Sequence, residues 1–420
     1  MLAISGGTPV RSKAFPAWPI RDQSDEEAVA QAVRSGVWGL GGKCKPEFEA
    51  KFAELQAAKH CVVACNGTVT LQMALTALGV GPGDEVIIPA YTFIATAAAV
   101  FHTGAVPVIV DIDPETYCID PQAVEAAITD RTACIVPVHV AGNPCDMDAI
   151  CEIAARHHLP VLEDAAQAHG AQWNGRGVGA IGDIGSFSFQ SSKNLACGEG
   201  GALVTNNDFL ANLVRAYADC GRFDGEGGPR QVLGWDFRMT EMQAALLLSQ
   251  LKRLLAQAAQ RDTNGLYLAE RLQNISGIKP AKRDSRVTRH AYHLFMFSVD
   301  ESVWGVSTRV FMEALRAEGI PCSAGYVPLY RTAGFVAYGQ SCPSAWSGIA
   351  DQLTKVDYGR MYLPVTEAAC RNTVWLAQRL LLGSQADMDD IATAVEKLWH
   401  ERAALQKVRP STGGLGYEGL

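Results

Sequence analysis

The stretch ACIVPVHVAGNPCDMDAICEIAARHHLPVLED, residues 133–164, places a helical segment between two short apolar runs. ACIVPVHV and PVLED have the length and apolar content of buried strands, whereas DMDAICEIAARHH has helical spacing. Strands that alternate with helices pair in parallel, because the connecting helices cover the faces of the sheet. This stretch therefore predicts an α/β fold.

The same alternation occurs upstream. CVVAC (61–65), VIIPA (86–90) and VPVIVDID (106–113) are predicted strands, and helical segments separate them. After about residue 275 the order strand, helix, strand and closing helix indicates a smaller α+β unit. The predicted division is a large domain with a mostly parallel sheet at 1–275, a smaller α+β C-terminal domain at 276–408 and a loose tail at 409–420.

Composition restricts the class of protein. Of the 420 residues, 48% are hydrophobic and 19% are charged, which is ordinary for a globular protein in water. The formal net charge of −8 argues against a nucleic-acid partner. No apolar run has membrane-span length and the N-terminus lacks a signal pattern, so we expect no membrane partner and a cytoplasmic location. The 12 cysteines are scattered without a CxxC pair, so we expect most of them to be buried thiols and no metal site.

One glycine motif has the wrong context for the ligand that it suggests. GVGAIG, residues 177–182, matches the dinucleotide-binding pattern G-x-G-x-x-G. That motif must follow a strand and open a helix, whereas here it follows a polar turn and precedes the strand IGSFSF. A glycine-rich hairpin loop is therefore the better interpretation.

A lone lysine suggests the chemistry. Lys193 lies in GSFSFQSSKNLACGEGGALVT, residues 185–205, where Ser188 belongs to an alternating Ser-Phe run. Gly67 and Thr68 stand where a buried strand gives way to a helix, and amides at a helix start bind anions. Asp164 ends an apolar strand, at the sheet edge where ligands bind. Taken singly, these features also fit a plain helix cap, a half-buried strand and a capping aspartate.

Together, the anion site, the carboxylate and the lysine match the needs of pyridoxal phosphate (PLP). The helix start and hydroxyls hold its phosphate, and the carboxylate pairs with the protonated pyridine nitrogen. A neutral lysine amine forms a Schiff base with the aldehyde and can later carry a proton. His139, in PVHVAGN, is interpreted as a packed histidine, with a substrate-facing role as the alternative.

The combination of motifs resembles the DegT/StrS-type sugar and cyclitol aminotransferases, which are fold-type I PLP enzymes. The resemblance covers most of the chain and is carried by a set of specific motifs. These are CNGTVTLQMAL, PAYTFIATA, VDID, PVHVAGNPCDMDAI, VLEDAAQAHGA, GDIGSFSFQSSKNLACGEGGALVT and RMTEMQAA. It implies the seven-stranded type of central sheet, a PLP cofactor, and a homodimer with the active site at the subunit interface.

The resemblance also implies residue roles. Lys193 is the catalytic lysine that forms the Schiff base, and Asp164 pairs with the pyridine nitrogen. The remaining implied cofactor contacts are Gly67, Thr68 and Ser188 at the phosphate, Phe93 on the ring face and Gln167 near the ring oxygen. A lysine at position 193, where dehydratase members carry histidine, favours transamination.

Two positions depart from the family pattern. Asp236, in GWDFRMTEMQAA, replaces an asparagine that reaches the neighbouring subunit's phosphate, and a carboxylate there would repel it. Asp236 is therefore not counted as a cofactor ligand. Tyr330, in GYVPLYRTAGF, replaces the histidine of sugar-nucleotide members. This stretch and VWLAQRLLLG (374–383) are more similar to members that act on cyclitols or aminohydroxybenzoate precursors.

The expected function is an aminotransferase that moves an amino group from glutamate or glutamine to a ketone on a cyclitol or keto-sugar. Three alternatives stay open from the sequence. They are a nucleotide-linked keto-sugar aminotransferase, a PLP-dependent aminohydroxybenzoate-type synthase or dehydratase, and a non-catalytic regulator that kept the fold.

Overall fold

Alternating strands and helices make up the N-terminal part of the chain, as expected. The computed structural model describes residues 1–222, 232–332, 334–335 and 357–409. Its strands are β1 (His60–Ala64), β2 (Glu85–Pro89), β3 (Val106–Val110), β4 (Thr132–Ile135), β5 (Leu162–Asp164), β6 (Gln172–Trp173), β7 (Arg176–Gly177), β8 (Ile184–Ser188), β9 (Gly201–Thr205), β10 (Ile278–Pro280), β11 (Val287–Arg289), β12 (Leu294–Val299), β13 (Ser323–Ala324) and β14 (Thr373–Ala377).

Two helices precede the first strand, and the others lie between the strands or after them. They are α1 (Gln23–Arg34), α2 (Cys44–Gln56), α3 (Gly67–Ala77), α4 (Ile94–His102), α5 (Pro121–Ala127), α6 (Met147–His157), α7 (Asp208–Ala218), α8 (Glu241–Leu272), α9 (Glu301–Trp304), α10 (Thr308–Ala317), α11 (Pro364–Asn372), α12 (Gln385–His400) and α13 (Arg402–Leu405). No helix of the described ranges is both long enough and apolar enough to cross a membrane.

Seven strands lie side by side in a central sheet. β2 pairs in parallel with β3 and β4, and β5 pairs in parallel with β8. Parallel bridges from Ile135 to Val161 and from Val138 to Asp164 join the two groups. β9 runs antiparallel to β8 and β1, which gives the order β3-β2-β4-β5-β8-β9-β1. The prediction of a mostly parallel, seven-stranded sheet is confirmed.

Both faces of this sheet are covered by apolar side chains. Within β2, Ile87 packs into one buried cluster, while Val86 and Ile88 pack into the cluster on the opposite face. The first cluster includes Phe52 of α2, whose ring meets that of Phe187 in β8 edge-on at 5.0 Å between centroids. Strands buried on both faces read as continuous apolar runs, which explains why they were recognisable in the sequence.

A second sheet follows the long helix α8. Its strand order is β10-β12-β14-β13, and every pairing is antiparallel. A third hydrophobic cluster packs against it, with Phe297 and Val374 from the sheet and Leu315 and Ile391 from α10 and α12. β10 begins at Ile278, close to the predicted boundary at residue 275. The division into domains stays a prediction, and residues 410–420 of the predicted tail lie outside the described residues.

The glycine motif at 177–182 forms a loop that binds a buried carboxylate. Three amides of the loop, from Gly179, Ile181 and Gly182, donate to the carboxylate of Glu163 at 2.6–2.7 Å. Glu163 is fully buried, and its pKa is lowered because these amides and His139 together outweigh desolvation. The loop follows the β6–β7 hairpin and leads into β8, so the rejection of a dinucleotide site agrees with the structure.

Candidate active site

Asp164 lies at the carboxyl end of β5, in the middle of the central sheet. Its Oδ2 accepts a hydrogen bond from Thr96 Oγ1 at 2.8 Å, and its Oδ1 accepts from the amide of Ala166 at 3.2 Å. Only 6% of the residue is exposed, and this burial raises the pKa of the carboxyl group. Two donors leave lone pairs free on a buried carboxylate, which therefore favours a further cationic partner.

Thr96 is a site residue that sequence reasoning missed. It lies in the first turn of α4, where its hydroxyl contacts Thr92 at 2.9 Å and donates to Asp164. Phe93 immediately precedes α4, and the amide of Thr96 donates to the Phe93 carbonyl. The PAYTFIATA motif thus supplies both an aromatic ring and the hydroxyl that orients the carboxylate. The signal was the spacing of two threonines one helical turn apart.

Lys193 lies in the loop that follows β8. It is half-buried, and desolvation lowers the pKa of its amine to about 8, although Asp164 and Glu199 act in the opposite direction. No residue in the described part of the chain forms a hydrogen bond with its Nζ. A lysine that is partly neutral near pH 8 and has no partner of its own is available as a nucleophile.

Gly67 and Ser188 meet where α3 begins and β8 ends. A Cβ added at Gly67 would lie 2.7 Å from the Cβ of Ser188, closer than real Cβ contacts allow. Gly201 in β9 is equally restricted by the backbone of Asn66. Only glycine fits at these two positions, because the start of α3 lies too close to β8 and β9 for a Cβ atom. Gly67 and Ser188, both of which the resemblance implies as phosphate contacts, therefore lie next to each other in the structure.

The start of α3 is also capped by a side chain. Asn66 Oδ1 accepts hydrogen bonds from the amides of Thr68 and Val69 at 3.0 Å each. The helix cap, which the sequence allowed as the alternative to an anion site, is therefore formed by Asn66. The Thr68 hydroxyl keeps its hydrogen-bonding capacity, since no described residue pairs with it.

Gln167 is held by hydrogen bonds within the protein, whereas the side chain of Phe93 is open to solvent. Gln167 is buried; its Oε1 accepts from the amide of Ala141 at 2.6 Å and its Nε2 donates to the hydroxyl of Tyr326 at 2.8 Å. Phe93 is 51% exposed, unusual for a large apolar side chain next to a buried carboxylate. An open aromatic face beside the Asp164 and Thr96 pair suits a planar ligand.

His139 is a packed histidine. It is fully buried, and its Nδ1 accepts from the amide of Cys145 at 3.0 Å. Nε2 must then carry the proton, and it donates to Glu163 at 3.0 Å. Because both nitrogens are used, the substrate-facing alternative is wrong.

The two departures from the family pattern have local explanations. Asp236 accepts from Arg238 Nη2 at 2.6 Å and stands on the surface with 61% of its side chain exposed. Its charge is therefore compensated by a neighbour two residues away. Tyr330 is buried; its hydroxyl donates to Glu367 at 2.9 Å and accepts from the amide of Leu363 at 3.1 Å. Burial raises the pKa of Tyr330 to about 12, so it acts as a neutral packing group.

A model of the DegT/DnrJ/EryC1/StrS aminotransferase family matches residues 19–396, which include every site residue described above. The chain belongs to this family. The resemblance inferred from the motifs is confirmed, and the protein is an aminotransferase of the fold-type I class.

Relatives match over nearly the whole chain. A protein of Streptoalloteichus tenebrarius, provisionally named L-glutamine:3-amino-2,3-dideoxy-scyllo-inosose aminotransferase, is 43% identical over 96% of this chain and 99% of its own. A second protein of that organism, named L-glutamine:2-deoxy-scyllo-inosose aminotransferase, is 37% identical over 96% and 99%. The solved structure of 3-amino-5-hydroxybenzoic acid synthase is 36% identical, covers 92% of this chain and 100% of its own, and has a TM-score of 0.81.

The cofactor of this family is PLP, and the described side chains fit it. A buried carboxylate with free lone pairs, an unpaired lysine of lowered pKa and an open aromatic ring occupy adjoining elements at one edge of the sheet. Glycine at position 67 lets the start of α3 approach Ser188 closely. Among the described residues, no group of three or more His, Cys, Asp or Glu side chains could hold a metal ion.

Proposed function

We propose that this protein is an L-glutamine-dependent aminotransferase that aminates a ring ketone of a cyclitol. The carrying observation is that the buried Asp164, at the end of β5, and Lys193, in the loop after β8, influence each other's charge in a chain that matches glutamine:scyllo-inosose aminotransferases over 96% of its length. The sequence left glutamate or glutamine as the donor and a cyclitol or keto-sugar as the acceptor. The proposal takes glutamine as the donor and a cyclitol as the acceptor. A nucleotide-linked sugar as acceptor is the less favoured alternative.

The proposed role of Lys193 is to attach the cofactor and then to move a proton. Bound PLP supplies an electron sink that stabilises negative charge at the donor's α-carbon. The lowered pKa of Lys193 leaves part of the amine neutral near neutral pH, so it can accept that proton. The half-buried position limits the access of water, which would otherwise compete for the proton.

Asp164 would hold the pyridine nitrogen in its protonated form. Thr96 and the amide of Ala166 fix the carboxylate, so it needs no reorganisation to meet a positive charge. The Thr68 hydroxyl, the Ser188 hydroxyl and the glycine backbone at position 67 would hold the phosphate. Phe93 would cover one ring face, which agrees with its exposure. Gln167 would contact the ring oxygen through Nε2, in exchange for its bond to Tyr326.

We also propose a homodimer with the active site at the subunit interface. Supporting this, three neighbouring apolar side chains, Val37, Trp38 and Leu40, are 41–56% exposed. Leu40 also lines a cavity of about 560 Å³, together with Arg215 and Arg238. Sedimentation velocity should give twice the 45.0 kDa chain mass, and a monomer at micromolar concentration would contradict the proposal. A cytoplasmic location stays a prediction.

The test of function uses the purified protein loaded with PLP. L-glutamine should change the visible absorbance of the loaded protein, and 2-deoxy-scyllo-inosose should then restore it while an aminocyclitol forms. Lys193→Ala should lower the single-turnover rate by about 10²–10⁴-fold or more, because the proton carrier is lost. Lys407→Ala, which changes an exposed lysine near the last helix, is the matched control. Normal turnover by Lys193→Ala, or amination of a nucleotide-linked keto-sugar alone, would overturn the proposal.

A further inference from the structure

The residue that follows Lys193 uses both polar atoms of its side chain within the protein. Asn194 is buried, and its Nδ2 donates to the carbonyl of Ala291 at 2.7 Å. A carbonyl oxygen only accepts, so this bond fixes the orientation of the amide. Asn194 Oδ1 therefore faces His293 and accepts from its Nδ1 at 3.3 Å. The backbone at position 194 is thus held by two groups that lie 97 and 99 positions further along the chain.

The HAYH segment (residues 290–293), which joins β11 to β12, provides both partners and has little freedom to move. None of its four residues is more than 7% exposed. Tyr292 has a φ of 45°, which a residue other than glycine keeps only where the surrounding structure imposes it. Its amide donates to His290 Nδ1 at 2.8 Å, and the two rings stack with their centroids 3.8 Å apart. The HAYH segment is therefore a rigid support for the loop that carries Lys193.

The HAYH segment also contacts the turn beside Gln167. The amide of Ala291 donates to the carbonyl of Gly142 at 3.1 Å, and the neighbouring amide of Ala141 donates to Gln167 Oε1 at 2.6 Å. A Cβ added at Gly142 would lie 2.7 Å from the carbonyl oxygen of Gln167 and 2.8 Å from the Cβ of Ala291, so the three segments are in close contact. A series of hydrogen bonds therefore connects Asn194, through two intervening segments, with Gln167.

His293 supports Asn194 without adding a charge beside the lysine. Its Nδ1 carries the proton, because it donates to Asn194 Oδ1. Burial lowers the pKa of His293 well below its usual value, and the nearby charge of Lys193 lowers it further. The ring is therefore neutral near pH 8, where Lys193 titrates, and the bond to Asn194 persists while the lysine loses its proton.

The covalent structure of PLP shows why the placement of the lysine loop matters. The aldehyde and the ring oxygen of PLP are substituents of adjacent ring carbons. The amine that attacks the aldehyde and the amide that contacts the ring oxygen must therefore approach neighbouring positions of one ring. In the proposed function these groups belong to Lys193 and Gln167. Attachment of the cofactor thus depends on the distance between the two chain segments that carry them.

We infer that Asn194 is a positioning residue, which sets where Lys193 lies relative to Gln167 by binding the HAYH segment. This inference rests on the proposed role of Lys193 as the residue that attaches PLP. Asn194 needs no contact with the cofactor, because both of its hydrogen bonds are made to the protein. Without these bonds the amine can still reach the aldehyde, but it spends less time at the reacting distance. Attachment then slows although the rest of the site is intact.

The test compares PLP with pyridoxamine phosphate on the purified apoprotein. PLP attaches when the neutral amine of Lys193 adds to the aldehyde carbon, a C=N bond forms and water leaves. Pyridoxamine phosphate carries an amine in place of the aldehyde, so it occupies the same site without reacting with a lysine. We expect Asn194→Ala to lower the rate of PLP attachment at high pH by about 10- to 100-fold, because the amine is misplaced. The Kd for pyridoxamine phosphate should change by less than about threefold.

The pH profile and a second position sharpen the test. The pH midpoint of attachment in Asn194→Ala should stay near the wild-type value of about 8, because no charge is removed. His293→Ala removes one of the two bonds and should slow attachment less than Asn194→Ala does. His293→Asn, whose amide nitrogen can replace Nδ1 as the donor, should be closer to wild type. Asn274→Ala is the matched control, since it removes an exposed asparagine whose Nδ2 also donates to a carbonyl, and it should change neither constant.

The outcomes separate this inference from the function on which it rests. A wild-type apoprotein that does not attach PLP at Lys193 would refute the proposed function. Wild-type attachment combined with an unchanged rate in Asn194→Ala would refute the positioning role alone. A parallel loss of attachment rate and of affinity for pyridoxamine phosphate would also refute it, because Asn194 would then support the whole site. Equal attachment rates in His293→Ala and His293→Asn would contradict the positioning role even if Asn194→Ala did not fold.

Discussion

Replacing Asp164 with asparagine tests the electrostatic core of the site. The amide is nearly isosteric with the carboxylate, and its oxygen can still accept from Thr96 or from the amide of Ala166. The negative charge is lost, and with it the group that would keep the pyridine nitrogen protonated. Removing one partner of a buried charged pair costs about 3–5 kcal/mol. The amination rate should therefore fall by about 10²- to 5 × 10³-fold, since each 1.36 kcal/mol is tenfold.

The same substitution should move the pKa of Lys193 in a defined direction. Burial lowers this pKa to about 8 while Asp164 acts to raise it, so Asp164→Asn should lower it further. An amine with a pKa of about 8 is about one-tenth neutral at pH 7, roughly 300-fold more than a lysine at 10.5. Attachment of PLP to the apoprotein needs the neutral amine. Its rate should therefore rise with pH up to about 8 in the wild type and level off at a lower pH in the variant.

The fold itself should tolerate the change. The pKa of Asp164 is raised, so the folded apoprotein binds this proton more tightly than the unfolded chain does. The ionised carboxylate therefore costs stability near neutral pH, and apo Asp164→Asn should unfold at the same urea concentration as the wild type or a higher one. This outcome distinguishes an electrostatic role from a structural one.

Stopped-flow absorbance provides the assay. PLP attachment is followed from pH 6 to pH 10, and single turnover with L-glutamine is followed at saturating PLP. Asp300→Asn, which changes the exposed N-cap of α9 to another good cap, is the matched control. A turnover rate within tenfold of wild type, or an upward shift of the attachment midpoint, would refute the reasoning.

Two further substitutions test the packing that supports the site. Gly67→Ala places a methyl group 2.7 Å from the Cβ of Ser188 and should cost about 1–3 kcal/mol of unfolding free energy, together with PLP affinity; Gly81→Ala, with nothing within 4 Å, is the control in urea titrations. Glu163→Gln should cost about 1–3 kcal/mol, because the glutamine amide nitrogen cannot accept hydrogen bonds and leaves loop amides unsatisfied in the interior; Glu54→Gln is the exposed control. Because the pKa of Glu163 is lowered in the folded protein, its carboxylate contributes stability that is fully present above pH 4.5 and is lost as the pH falls through the pKa of the folded state. Glu163→Gln should therefore lose less of its remaining stability than the wild type does over that acid range. Equal stability of either variant and its control would contradict the packing argument.

Local sequence patterns predicted the sheet and indicated the proposed reacting pair, Lys193 and Asp164. Continuous apolar runs identified the buried strands, because parallel strands are covered on both faces. Asp164 was predictable for the same reason: a carboxylate that ends such a run lies at the ligand-binding edge of the sheet. Lys193 stood out as a lone cation among small residues. These signals depend on neighbours within a few positions along the chain.

Other features depended on contacts between distant segments. Arg261 and Gln378 are 117 positions apart, and neither residue type nor spacing indicates that one orients the other. The family motifs hold Lys193 and Asp164 but not this pair. The orientation of the Gln378 amide by Arg261 therefore became visible only in the assembled fold.

The sequence by itself determined the alternation of strands and helices that builds the central sheet, and it indicated Lys193 and Asp164 as the proposed reactive lysine and its carboxylate. Both signals are local, because they depend on periodicity and on the residue type at a strand end. Only the tertiary structure decided which groups hold those residues in place. The glycine motif at 177–182 gives its amides to Glu163, Thr96 orients Asp164, and Arg238 compensates Asp236. The physical reason is that a buried polar group must find a partner wherever the fold brings one within hydrogen-bonding distance, regardless of separation along the chain.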